Sequence, residues 1–148
     1  MPADNNSIVR RLYEEVWNKR KLEVLKELVS PSHARHGPNI SGSSIGPEAY
    51  KRQVALFVAA FPDLRWTIED TVTEKDKVVV VWNFTGTHKS EFMGVPATNK
   101  KVSVDGITVH EIGKGKIMDS YVNWDIWGLM QQLGVVPAQG KPQSASAR

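Results

Sequence analysis

The order of periodicities along the chain predicts an α+β fold: a curved antiparallel sheet with N-terminal helices against one face, a cone-shaped α+β barrel enclosing a pocket. Two observations carry this. Up to Pro62 the apolar residues recur at helical spacing; from Leu64 onward they alternate through four strand-length segments. There is no βαβ alternation and no Gly-rich phosphate loop, which excludes a doubly wound sheet and a nucleotide site of that kind.

The elements follow in order. Asp4 or Asn6 can cap a first helix whose apolar face is Ile8, Val9, Leu12, Tyr13, Val16 and Trp17, with Lys19 and Arg20 in its last turn, where positive charge suits the helix dipole. A shorter helix carries Leu22, Leu25, Leu28 and Val29 and stops at Ser30–Pro31. His33 to Pro38 reads as a short strand ending in a turn, and Asn39 to Gly46, rich in Ser and Gly, as a loop. Pro47 opens a third helix with Tyr50, Val54, Phe57, Val58 and Phe61 on one side, ended by Pro62. Arg65 to Thr73, Val78 to Thr85, Val102 to Ile112 and Lys116 to Trp124 then read as strands, with a turn at Glu74–Lys77 and a loop at Gly94–Lys101. Gly134 can cap a final short helix. The small, polar segment 138–148 is expected to be a disordered tail behind a single domain over 1–137.

Composition narrows the function. At 148 residues, 41% hydrophobic and 24% charged, the chain is an ordinary globular protein with a real core. It has no cysteine, which excludes disulfides and thiolate chemistry and fits a cytoplasmic location. Its first residues do not resemble a signal peptide, and no apolar run approaches the ~20 residues of a membrane span. The net charge of +3 is spread along the chain; Lys19–Arg20–Lys21 and Lys100–Lys101 read as solvated surface, so no nucleic-acid or membrane partner is expected. His33, His36, His88 and His110 stand in no metal-binding motif; on an extended segment His33 and His36 would point to opposite faces, so no metal is expected.

The candidate chemistry lies in the last hairpin. Asp125 sits where the final strand gives way to the final helix, and His110 lies near the end of the neighbouring strand, so the two could face one pocket as an acid/base pair. Alternation groups Asp119, Tyr121, Asn123 and Asp125 on one face and Ser120, Val122 and Trp124 on the other. Apolar neighbours would desolvate Asp125 and make it a stronger base. Asp125 also suits a plain helix cap, and a lone strand His is commonly a hydrogen-bonded structural residue. His36 can reach the pocket mouth. Trp82 and Phe57 read as core residues, of which a subset can stack on a planar ligand. Tyr121 and Asn123 share the Asp125 face as further substrate contacts.

The chain resembles the SnoaL-like polyketide cyclases and ester cyclases of the nuclear-transport-factor-2-like superfamily. The matching residues are Phe61–Pro–Asp–Leu64, Gly86–Thr–His88, Phe92–Met–Gly–Val–Pro96, Gly106–Ile107, Gly115–Lys–Ile117 and Gln132–Leu–Gly134, specific in their order and spacing. The resemblance implies a cofactor-free intramolecular aldol condensation on a small hydrophobic carbonyl compound. Asp125 matches the Asp that removes the proton next to the carbonyl, and His110 the His that assists the substrate oxygen. Many relatives have Arg at the positions of His110 and Val81; this chain does not, and it has Asp119 where Glu is usual. The alternatives are a non-catalytic small-molecule binding protein and a ketosteroid-isomerase-like enzyme, for which Tyr13 would serve and for which only His33 or His36 stands at the base position. The outer sheet face, with Val122 and Trp124 assigned to it, predicts a homodimer.

Overall fold

The structure is a computed structural model that describes residues 4–38 and 44–137. The expected tail and most of the loop before the third helix lie outside the described residues.

Helix α1 (Asn5–Arg11) starts at Asp4, whose carboxylate accepts the Ser7 N–H at 2.8 Å. It runs into a π-helical segment, Leu12–Asn18, which ends on a bond from the Lys19 N–H to the Glu14 carbonyl. Tyr13 and Trp17 project from this segment and are buried. A single 3₁₀ turn (Leu22–Val24) and the short α2 (Leu25–Leu28) lead into β1 (Val29–His36). Pro47 lies in the first turn of α3 (Gly46–Ala60), which buries Tyr50, Val54 and Phe57.

The strands β2 (Arg65–Glu74), β3 (Lys77–Thr87), β4 (Lys101–Gly113) and β5 (Lys116–Trp124) form an antiparallel meander. Helix α4 (Ile126–Leu133) closes the described chain and ends on Gly134 at φ 84°, the left-handed cap that favours glycine. The sheet order is β1-β5-β4-β3-β2. In one respect it departs from the sequence expectation: β1 joins β5 in parallel, so the sheet is mixed. No hairpin ties β1 to β5, so this edge strand is not held to the antiparallel sense that the short turns impose on the meander.

Register breaks at Val29/Ala34, Ile68/Asp70 and Glu111/Ile112 interrupt the ladder, and such bulges sharpen strand twist and bend. The core lies between the helices and one sheet face. On β4 that face carries Val102, Val104, Gly106, Thr108 and His110, all buried. Gly106 is there for space: a Cβ at this position would overlap the Trp82 indole, which crosses the strand.

Candidate functional site

A cavity of about 250 Å³ opens between the helices and the inner sheet face. Its walls are aromatic: Trp17, Phe57, Trp66, Trp82, Phe92 and Trp124. They hold one another in tilted and edge-on pairs, Trp66 with Trp82 at 4.3 Å and Trp17 with Phe57 at 5.6 Å between centroids. Behind it lies a narrow inner chamber of about 20 Å³, which shares Trp17, Arg35, Trp66, Trp82 and Val122 with the outer cavity and adds Tyr13, Tyr50, Thr108, His110 and Ser120. Trp82 is fixed by its indole N–H, which donates to the Thr108 hydroxyl at 2.9 Å.

A continuous polar chain crosses this chamber. The Tyr13 hydroxyl meets His110 Nε2 at 2.9 Å, His110 Nδ1 meets the Ser120 hydroxyl at 2.7 Å, and Ser120 meets His33 Nε2 at 2.9 Å. All four residues are buried. Every internal link joins groups that can both donate and accept, so the chain has two self-consistent proton orders. In one, Tyr13 donates to His110 and each group passes its proton toward His33; in the other, all donors reverse. Burial, reinforced by His33 and the Arg35 charge, pushes the His110 imidazole down to about 3. Burial, reinforced by the Arg35 charge, brings His33 to about 4. Burial likewise raises the Tyr13 and Tyr50 phenols above their ordinary value. At neutral pH the four groups are therefore uncharged, and the charge in the inner chamber belongs to Arg35.

Among the residues expected from sequence, His110, Trp82 and Phe57 line this cavity. Asp125 does not. It is exposed, caps α4 by accepting the Gly128 N–H at 2.9 Å, and borders a shallow depression on the opposite sheet face with Glu69, Asp105, Ile107 and Asn123. Tyr121 and Asn123 also point outward, and His36 stacks on Tyr121 at 4.4 Å while its Nε2 meets Asp119 at 3.0 Å. Val122 and Trp124, expected on the outer face, line the cavity instead.

A bulge in β5 separates Asp125 from His110. At the turn Ile112 pairs with Ile117 and Gly113 with Lys116. Continued without interruption, that register would set His110 opposite Asp119, on one face with Tyr121, Asn123 and Asp125. Instead Glu111 pairs with Asp119 and leaves Met118 as an extra residue, so His110 faces Ser120. A shift of one residue turns the whole strand over. Arg35, which sequence reasoning did not single out, stands inward for a related reason: β1 pairs Arg35 with Ser120 and His36 with Tyr121, so Arg35 shares the Ser120 face.

The family model for SnoaL-like polyketide cyclase matches residues 7–133. The chain belongs to this family. It is 30% identical over 134 residues to the aklanonic acid methyl ester cyclase DauD of Streptomyces sp. (strain C5), covering 86% of this chain and 80% of DauD. Among solved structures it is similar to IdmH from Streptomyces antibioticus, provisionally named a polyketide cyclase, with a TM-score of 0.78, 28% identity, and coverage of 90% of this chain and all of that one. AclR from Streptomyces galilaeus, provisionally named a hydroxylase, gives a TM-score of 0.82 at 25% identity over 99% of this chain and 92% of its own. These neighbours share the α+β cone, and none of the described helices is long and apolar enough to cross a membrane.

Proposed function

We propose that this SnoaL-like protein catalyses cofactor-independent, cyclase-type proton transfer next to the carbonyl of a hydrophobic compound held in the aromatic cavity. The observation that carries the proposal is the chain Tyr13–His110–Ser120–His33 at the inner end of the aromatic-walled cavity. In a chamber of low polarity a hydroxyl aimed at a carbonyl oxygen stabilises the enolate more than it would in water. Tyr13 is suited to that task because burial keeps its phenol protonated. That hydrogen bond to the carbonyl oxygen uses the proton order in which His110 Nε2 donates to Tyr13; in the opposite order Tyr13 passes its proton to His110 Nε2 as it takes one from the carbon next to the carbonyl, and the same path returns it. An anion formed beside the imidazole raises its basicity and offsets the burial that depresses it in the empty chamber.

This assignment keeps His110 in the mechanism and leaves Asp125 in a capping role. Of the ketosteroid-isomerase-like alternative, the chamber supplies the Tyr from the first helix, but among the described residues it supplies no carboxylate: the one acid they bring to the cavity is Glu91, an exposed residue bonded to the Gly94 N–H. The non-catalytic alternative is tested by deuterium exchange. With 2-tetralone in D₂O, the wild-type protein is expected to speed exchange at the carbon next to the carbonyl, read by proton NMR. His110→Gln and Tyr13→Phe, checked for folding by melting curves, should lose roughly 10²–10⁴-fold of that rate. A wild-type protein whose tryptophan fluorescence is quenched by 2-tetralone but which adds nothing to the buffer rate would be a binding protein.

A further inference from the structure

Two hydrogen-bond donors in the cavity lack an acceptor. Arg35 Nη1 and Trp66 Nε1 are both shielded from solvent and have no hydrogen-bond partner among the described residues. Both residues line the outer cavity and the inner chamber. No described carboxylate lies within ion-pair distance of Arg35. Its guanidinium carbon instead lies 5.6 Å from the Tyr50 ring centroid, over the face of the ring. Residues 39–43, Asn–Ile–Ser–Gly–Ser, contain no acid that could neutralise it. A half-buried guanidinium in an aromatic cavity, with one nitrogen shut off from solvent and no counter-charge among the described residues, is suited to receive an anion there. Arg is also the side chain that grips a carboxylate through two parallel N–H bonds.

The geometry points to a substrate that is a planar hydrophobic carboxylate, its rings between the aromatic walls and its carboxylate on Arg35, with Trp66 Nε1 as a second donor. The inference rests on the cavity being the ligand site, as proposed above, but not on the proton chain behind it. It sets this chain apart from a relative named for a methyl ester, because an ester brings no charge to Arg35.

The test uses 2-naphthoate and methyl 2-naphthoate as probes, with binding at pH 7.5 read by quenching of tryptophan fluorescence and by calorimetry. The wild-type protein should bind the acid at least tenfold more tightly than the ester. Arg35→Met should remove that preference and keep ester binding within about threefold, while Arg35→Lys retains part of it. Because Met replaces an uncompensated charge with an apolar group of similar length, the Arg35→Met protein should melt no lower than wild type in the absence of ligand. 2-Naphthoate has no proton next to a carbonyl that the proposed exchange could remove, so its binding is read independently and a failure of the proton-transfer proposal leaves this result intact. Equal binding of acid and ester to wild type, no binding of either, a preference that survives Arg35→Met, or a large drop in the melting temperature of Arg35→Met would each overturn the inference.

Discussion

Acid should destabilise this protein through two buried histidines. His110 and His33 are buried, and their pKa values fall from the ordinary 6.5 to about 3 and about 4. In the unfolded chain both rings protonate as the pH drops through about 6.5. Between there and pH ~4 the unfolded state binds protons that the folded state refuses, so stability falls as the pH falls. Above 6.5 both states are neutral at these rings, and they contribute no slope. Each ring removes about 1.4 kcal/mol per pH unit inside the window. From pH 6.5 to 4 that is about 3 kcal/mol per ring and roughly 6 kcal/mol for the pair, a large part of a typical domain's 5–15 kcal/mol. The assay is urea unfolding followed by tryptophan fluorescence at several pH values from 8 to 4.5. The free energy should be flat down to about pH 6.5 and then fall with a slope near two protons. His110→Gln should fall with a slope near one. A wild-type free energy that stays level from pH 7.5 to 4.5 would refute the buried neutral network.

Other outcomes follow from the same geometry. Asp125→Ala should cost about 1 kcal/mol in urea unfolding by removing the α4 cap, and Asp125→Asn almost nothing, because Asn caps as well. Gly106→Ala should destabilise by about 1–3 kcal/mol, since its methyl group must displace the Trp82 indole from a packed wall; a neutral melting curve would contradict the close approach. The outer sheet face and its border still expose Ile107, Tyr121 and Trp127 at 49%, 44% and 54%. A homodimer through that face is expected, and Tyr121→Glu should shift sedimentation toward monomer.

The α+β order was legible because Pro62 separates two clean periodicities and every later strand is long. The parallel edge was less so: β1 contains Pro31 and carries only a short strand-like stretch, and nothing local states which neighbour it pairs with. The parity groups of β5 were read correctly, but which group faces inward depends on a bulge at Met118 that has no sequence signature of its own. The same bulge separates His110, which lines the cavity, from Asp125, which was expected beside it and faces outward. Arg35 was passed over because an Arg between polar and His residues reads as surface. The usable signal was its parity with His33, which places both on one side of β1, and even that needs the pairing with β5 to say which side.

The proposed working face is that of His110, Ser120 and Val122, not that of Asp125. The most direct measurement is the exchange rate of 2-tetralone in D₂O with His110→Gln and Asp125→Asn side by side, each confirmed as folded. Asp125→Asn should stay within about twofold of wild type while His110→Gln loses roughly 10²–10⁴-fold. A folded Asp125→Asn protein that loses the activity while His110→Gln keeps it would contradict the account and return the chemistry to the outer face.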